Sequence, residues 1–123
     1  MTIDRSHSAA RRTRFFELHA RSQVFVMPNP WDVGSARLLA HAGFEALATT
    51  SAGMAWSLGR EDGDVSFEQL IAHVASIAEA VDVPLNVDSE RMFSEDLDEV
   101  EANVRQLHAA GAAGCSNGAG GWR

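Results

Sequence analysis

Apolar runs that alternate with amphipathic helical patterns are the feature of this sequence that most limits its fold. Runs at residues 24–30, 45–51 and 83–88 are each followed by a segment whose apolar residues recur at helical spacing, and "AAGCS" at 112–116 ends the series. Strands alternating with helices favour a parallel sheet joined by right-handed crossovers. Near-continuous apolar strands indicate a sheet covered on both faces. The sequence therefore predicts an α/β fold with four strands.

Capping residues and periodicity place the helices. Asp32 is suited to cap the helix that follows the first strand, and Ser66 with Gln69 forms a capping box before the clearest apolar stripe. The segment 52–65 carries three glycines without a clean period and is predicted to be a loop. The predicted helices lie near residues 8–20, 32–43, 66–81 and 94–111.

Charge and composition narrow the classes of partner. The net charge is -7, which disfavours a nucleic-acid-binding face, and the basic cluster "RRTR" at 11–14 fits a solvated helix face or a contact with an acidic partner. No apolar run approaches the roughly 20 residues that a bilayer span needs, and the N-terminus lacks the apolar core of a secretory signal. Cys115 is the single cysteine, as suits a reducing compartment. We expect a soluble, cytoplasmic protein without nucleic-acid or membrane partners.

Polar residues gather where three of the predicted strands end. Ligands of parallel α/β folds bind at the carboxyl ends of the strands, and those ends read "PNPWD", "TTSAG" and "VDSE". Asp88 and Glu90 are two residues apart, so an extended chain points both carboxylates to one side. Paired carboxylates suit a hard cation such as Mg2+. The same residues also fit a plain polar strand end.

Two further segments carry groups that could take part in a site. The "TTSAG" turn offers hydroxyls and backbone N–H groups that could hold a carboxylate or phosphate, although close packing of small residues explains it equally. Asp62 and Asp64 lie in the long segment after the second strand, where long loops are often functional. Asp-Gly is also ordinary turn chemistry. The five histidines are scattered, and no Walker motif, dinucleotide fingerprint or zinc cluster occurs.

These segments together resemble the isocitrate lyase and phosphoenolpyruvate mutase family. The resemblance rests on "PNPWDVGSARLLAHAGFEALATTSAGMAWSLGREDGDVS", "VPLNVDSE" and "AGAAGCS", and covers the chain from about Leu18 to Ser116. It implies a (β/α)8 barrel enzyme. Such an enzyme would use Mg2+ to hold a small 2-oxo acid, its enolate or a phosphonate while a C–C or P–C bond is made or broken.

The resemblance also implies which residues form the site. The "TTSAG" turn matches the family loop that anchors the carboxylate or phosphoryl group of the substrate, and the acidic residues match those that hold Mg2+ directly or through water. The implied substrate contacts are Thr50, Ser51 and Ala52, and the implied metal ligands are Asp62, Asp88 and Glu90.

The sequence departs from the family at two places near these ligands. The family follows the acidic pair with a glycine-aromatic-glycine turn, where this chain has Met92, Phe93 and Ser94. A backbone that needs a positive φ would be strained without glycine. The family also carries a further glutamate after the fourth strand, at about the place of Gly118. We therefore expect the carboxylates of Asp88 and Glu90 to be present but less well oriented for binding Mg2+.

Chain length bears on both activity and association. A (β/α)8 barrel takes about 250 residues, so four strands amount to half a barrel. We expect one truncated barrel domain over 1–123, with an N-terminal helix at 1–22, βα units at 23–116 and an atypical tail at 117–123. The abrupt change to a glycine-rich composition in that tail is typical of a truncated or frame-shifted end. Open sheet edges favour association, which predicts a homo-oligomer.

Three functions remain open from the sequence. The first is a Mg2+-dependent lyase or phosphonomutase whose isolated chain has little or no activity. The second is a non-catalytic fragment that acts through self-association or by docking on a full-length relative. The third is an unrelated flavodoxin-like binding domain, which the lack of a phosphate loop or flavin signature disfavours.

Overall fold

The computed structural model describes residues 5–118, which form an α/β fold with a small parallel sheet. Three strands lie in the order β1-β2-β3 and run parallel to one another. Residues 1–4 of the predicted N-terminal helix and residues 119–123 of the predicted tail lie outside the described part. The elements in chain order are α1 (Arg5–Ala20), α2 (Val33–His41), β1 (Leu47–Ala48), α3 (Ser51–Ser57), α4 (Phe67–Ala80), β2 (Leu85–Asp88), α5 (Leu97–Ala109) and β3 (Gly114–Ser116).

Strand β2 is the centre of the sheet and separates an apolar side from a polar side. Its residues alternate between buried and partly exposed positions along the strand. Leu85 and Val87 are buried in the main core, while Asn86 and Asp88 point to the opposite face. Asp88 is paired in register with Ser116 of β3. The polar face therefore continues from β2 onto its neighbour.

The core lies on the apolar side of the sheet and includes residues of α2, α3, α4 and α5. Complete burial of an aliphatic side chain contributes about 1.5–3 kcal/mol relative to exposure. Six large aliphatic residues of the core are no more than 1% exposed: Leu47, Leu85, Val87, Val74, Ile77 and Leu107.

The predicted helix caps are confirmed for α2 and α4, while α5 begins later than predicted. Ser35 N donates to Asp32 Oδ1 at 2.7 Å, and Ser66 forms the predicted capping box with Gln69. The N-cap of α5 is Asp96, whose Oδ1 accepts from the first-turn N–H groups. Ser94 instead precedes this helix, because Asp96 satisfies the N–H groups that would otherwise lack a partner.

The first predicted strand, residues 24–30, is wrong, and the sheet within residues 5–118 has three strands rather than the predicted four. One backbone bond in the described residues, from Ala48 N to Pro28 O at 3.1 Å, joins this segment to β1. Pro28 and Pro30 have no N–H to donate to a ladder. Val24 is 93% exposed and Val26 is 63% exposed, so the apolar run is not buried here.

The predicted loop at 52–65 is also wrong over its first part, because α3 occupies Ser51–Ser57. Thr50 caps this short helix, and Met54 and Ala55 bury their side chains in the core. The small residues that obscured a helical period allow this close packing. The remainder of the segment, from Leu58 to Val65, forms the predicted irregular connection.

Helix α1 is attached to the body through the basic cluster. Arg11 is buried and its Nη1 donates to Ala78 O at 2.7 Å, while burial lowers the pKa of its guanidinium. Arg14 pairs with Glu45 at 2.7 Å. The prediction of a solvated face is therefore wrong for Arg11, which is buried, whereas Arg14 is exposed as predicted. Over residues 5–118, no helix combines the length and apolarity that a bilayer crossing requires.

Candidate functional site

Asp88 ties together the ends of two neighbouring strands. Its Oδ2 accepts a hydrogen bond from Ser51 N at 3.1 Å, and its Oδ1 accepts one from Glu90 N at 3.1 Å. The backbone N–H of Asp88 donates to Thr49 Oγ1 at 3.0 Å. The carboxylate therefore fixes both the start of α3 and the loop that follows β2.

Glu90 lies in this loop and is electrostatically linked to both other predicted metal ligands. Partial burial raises the pKa of the Glu90 carboxyl, and the negative charges of Asp62 and Asp88 raise it further. Like charges disfavour the ionised form of a carboxyl group. The charge of Asp62, in the segment after α3, therefore acts on Glu90 at the end of β2.

The chemistry of this group fits a hard divalent cation. Its donors are carboxylate oxygens, and the Glu90 carboxylate accepts no hydrogen bond in the described part of the chain. Within residues 5–118, no three His, Cys, Asp or Glu side chains stand close enough to form a ready-made metal site. Mg2+ commonly takes one or two carboxylates and completes its shell with water. The assignment of Asp62, Asp88 and Glu90 as metal ligands stays a prediction.

The predicted substrate loop lies beside the same carboxylates at the start of α3. Thr50 Oγ1 accepts from Gly53 N at 3.2 Å, and Ser51 N already donates to Asp88. Ala52 follows in the first turn, where backbone N–H groups have no partner within a helix. The roles of Thr50, Ser51 and Ala52 in binding a substrate stay predictions.

The turn after the carboxylates adopts the conformation that the missing glycines would favour. Met92 has φ 62° and Phe93 has φ 61°, and Glu90 itself has φ 52°. Left-handed backbone costs an ordinary residue about 1–2 kcal/mol. The strain predicted for this turn is thus found at Met92, whereas Ser94 is outside the left-handed region.

Packing offsets the strain in this turn. Met92 is 5% exposed, its Sδ lies 3.0 Å from Ser89 Oγ, and its backbone oxygen accepts from Asn103 Nδ2 at 2.8 Å. The ring of Phe93 packs against that of Phe67, with centroids 5.3 Å apart. Side-chain burial therefore holds a backbone that these residues disfavour.

Gly118, at about the place where the resemblance implies a further glutamate, lies directly against this loop. Gly118 N donates to Glu90 O at 2.8 Å, and Ser89 donates to Ser116 O from its backbone and its hydroxyl. A Cβ built on Gly118 would be 3.5 Å from Glu90 O, which is an ordinary contact. The chain therefore has room for a side chain here but supplies none.

Sequence reasoning missed two residues that belong to this region. Thr49 is buried and positions the backbone of Asp88. Asn86 lies on the same face of β2 as Asp88, and its Nδ2 donates to Ser116 Oγ at 3.4 Å. The period of two along β2 could have identified Asn86, whereas Thr49 needed the pairing of the strands.

The family model described as phosphoenolpyruvate phosphomutase matches residues 15–117, which is most of the chain. The chain belongs to the phosphoenolpyruvate phosphomutase family. The 2-methylisocitrate lyase of Aeropyrum pernix is 35% identical over 98 residues, which cover 79% of this chain and 32% of that protein. The 2,3-dimethylmalate lyase of Eubacterium barkeri is 30% identical over 99 residues, 79% of this chain and 34% of that protein.

Solved structures of this phosphomutase family share the backbone fold. A candidate lyase/mutase from Burkholderia cenocepacia superposes with a TM-score of 0.88 at 42% identity, over 90% of this chain and 40% of that one. The phosphoenolpyruvate phosphomutase of Streptomyces platensis gives a TM-score of 0.76 at 26% identity, over 85% of this chain and 36% of that one. The family match over residues 15–117 includes both carboxylate-bearing segments.

The phosphomutase-family chain is much shorter than its relatives. It spans 32% of the Aeropyrum lyase and 34% of the Eubacterium lyase. The resemblance to the isocitrate lyase and phosphoenolpyruvate mutase family is thus confirmed. The chain belongs to a family whose members include lyases and phosphomutases.

Proposed function

We propose that this protein serves a Mg2+-dependent lyase or phosphonomutase reaction on a small anionic 2-oxo acid or phosphonate. The observation that carries the proposal is the position of Asp88 and Glu90 at the carboxyl end of β2, where Asp88 accepts hydrogen bonds from Glu90 N and from Ser51 N at the start of α3. The negative charges of Asp62 and Asp88 raise the Glu90 pKa, and a divalent cation would offset this repulsion. The lyase and phosphomutase relatives support this reaction class.

Each part of the site has a defined task in this proposal. Asp62, Asp88 and Glu90 would hold Mg2+, whose positive charge would stabilise an enolate oxygen as it forms. The start of α3, with Thr50, Ser51 and Ala52, would contact the carboxylate or phosphoryl group of the substrate. Asp88 fixes the distance between these two regions, because it accepts hydrogen bonds from Ser51 and from Glu90.

We propose that residues 1–123 form a single domain, and that this domain corresponds to part of a (β/α)8 barrel. The parallel order of β1, β2 and β3 and the superposition on longer relatives support it. We propose that the 123-residue chain alone has little activity, because Gly118 supplies no carboxylate beside Glu90 and the chain spans about 40% of the superposed relative.

A Mg2+ titration and turnover assays test the proposed function. The unmodified chain is expected to bind Mg2+ weakly and to show little turnover of oxaloacetate, 2-methylisocitrate or phosphonopyruvate. Gly118→Glu is expected to tighten Mg2+ binding about tenfold, because it adds a carboxylate next to Glu90. Ala102→Glu adds the same charge on the exposed face of α5 and serves as the control.

Two results would count against this proposal. Equal Mg2+ affinities for Gly118→Glu and Ala102→Glu, or no Mg2+ binding by any variant, would refute the metal assignment. Rapid Mg2+-dependent product formation by the unmodified chain would instead refute the expected low activity and leave the metal assignment intact.

A second candidate function, self-association, is favoured by exposed apolar residues in segment 24–30 and by an open strand edge. Val24 and Val26 are exposed in this segment, which the hydrogen bond from Ala48 N to Pro28 O attaches to β1, and β3 pairs only with β2 within residues 5–118. Unpaired parallel edges bind further strands. A second copy would therefore pair its residues 24–28 with the open edge of β3, and no nucleic-acid or membrane partner is proposed.

Lysine substitution tests this association. Val26→Lys is expected to convert a dimer into a monomer on size-exclusion chromatography, because a charged edge residue opposes strand pairing. Leu38→Lys is the matched control, since Leu38 is 72% exposed on α2, away from the edge. A monomeric unmodified chain, or a Val26→Lys variant that remains dimeric, would contradict the prediction.

A further inference from the structure

A cleft of about 400 Å3 lies between α2, α3 and α4, apart from the carboxylates at the sheet end. Its volume is within the range of small-molecule sites, about 300–1,000 Å3. All its walls come from residues 31–76, and none of the proposed metal ligands lines it. The lining residues that matter for recognition are Trp31, Asp32, Met54, Leu58, His73 and Ser76.

A fixed indole forms one wall of this cleft. The Trp31 ring lies against the backbone of Gly53, where a Cβ would be 2.4 Å from Trp31 Cδ1. Glycine at this position thus allows the ring to approach α3. Trp56 packs edge-on against Trp31, with centroids 5.5 Å apart. Trp31 is still 44% exposed, so part of its ring remains open to a ligand.

His73 of α4 provides an unpaired polar atom among the residues that line the cleft. Its Nε2 is buried and has no hydrogen-bond partner within residues 5–118. Burial lowers the pKa of His73, against the opposing effect of Asp32, and this favours a neutral imidazole. A neutral ring nitrogen either donates or accepts, according to the tautomer.

The carboxylate of Asp32 influences which ligand charge the cleft can accept. Ser35 donates to Asp32 from its backbone and from its hydroxyl, and these bonds lower the pKa of the carboxyl. Asp32 is therefore ionised at neutral pH, and the whole chain carries a net charge of -7. Both facts disfavour an anionic ligand.

We propose that this cleft binds a neutral phenolic small molecule, with its ring against Trp31 and its hydroxyl paired with His73 Nε2, which reaches the cleft when the imidazole rotates about its Cβ–Cγ bond. A phenolic hydroxyl both donates and accepts, so it satisfies this nitrogen in either tautomer. A flat ring gains stacking or edge contacts with the indole. The sequence contains no tyrosine, so a second copy of the chain cannot supply the phenol.

Titration with p-cresol, toluene and benzoate, in the absence of Mg2+, tests this site. Binding is followed through the indole N–H resonances of Trp31 and Trp56, assigned with single Trp→Phe variants. We expect p-cresol to bind about five- to tenfold more tightly than toluene, which is the value of one neutral hydrogen bond. Benzoate is expected to bind more weakly than p-cresol, because its charge faces Asp32.

The variant His73→Phe keeps a ring but removes the hydrogen-bonding nitrogen. It is expected to bind p-cresol and toluene equally, whereas His41→Phe, on the exposed end of α2, should retain the preference. The proposal is overturned by equal affinities for p-cresol and toluene in the unmodified protein. A preference that persists in His73→Phe, or the absence of any Trp31 shift, also overturns it. None of these outcomes depends on the metal site.

Discussion

Asp88→Ala is expected to lower the free energy of unfolding by about 3 kcal/mol, because a hydrogen bond to a charged group contributes about 1.5 kcal/mol or more. The Asp88 carboxylate accepts two such bonds, from Ser51 N and Glu90 N, each at 3.1 Å. Alanine leaves both N–H groups without this acceptor. Urea unfolding followed by circular dichroism measures the loss as a lower midpoint at unchanged slope.

Two neighbouring variants show whether the loss comes from hydrogen bonds or from charge. Asp88→Asn keeps one acceptor oxygen and is expected to lose about half as much. Glu90→Gln is expected to be at least as stable as the unmodified protein at neutral pH, because burial and the charges of Asp62 and Asp88 raise the Glu90 pKa and make its ionised form unfavourable in the fold. Any stability that Glu90→Gln gains should shrink as pH falls, because Glu90 of the unmodified protein then takes up a proton. An Asp88→Ala protein with an unchanged midpoint would contradict the structural role.

Met92→Ala is expected to lower the free energy of unfolding by about 2–4 kcal/mol, as large-to-small substitutions of buried residues do. Met92→Gly should be less harmful, by about 0.5–1 kcal/mol, because glycine adopts the φ of 62° at this position without the cost that alanine meets. Thermal or urea unfolding of both variants measures the difference.

The order of these two variants is the critical result, because glycine is normally the poorer residue. At Ala102, on the exposed face of α5, replacement by glycine should cost about 1 kcal/mol. If Met92→Gly were less stable than Met92→Ala, as at Ala102, the turn would not be strained. The expected reversal would instead identify Met92 as a residue held in place by its packing.

The sequence predicts most of the elements, and its two errors have physical causes. Residues 24–30 have the composition of a strand, but Pro28 and Pro30 cannot donate hydrogen bonds and only one backbone bond attaches the segment to β1. The start of α3 was hidden by small residues that carry little periodic signal. Its capping by Thr50 and the approach of Trp31 to Gly53 depend on contacts between distant segments.

The candidate site likewise has features that the sequence predicts and features that depend on the folded structure. The spacing of Asp88 and Glu90 indicated a carboxylate pair, and the resemblance to the family added Asp62. The influence of Asp62 on the Glu90 pKa depends on how two loops approach each other, which spacing does not specify. The same holds for the hydrogen bond from Gly118 to Glu90.

The alternation of strands and helices, the caps Asp32 and Ser66, and the family can be predicted from the sequence, because each depends on local periodicity or on runs of neighbouring residues. The hydrogen bond that joins Asp88 of β2 to the start of α3, and the left-handed backbone of Met92 and Phe93, are known only from the folded structure. The folded structure also places His73 and Trp31 in one cleft. Each of these features depends on free energy from packing between segments far apart in the chain, which local preference does not report.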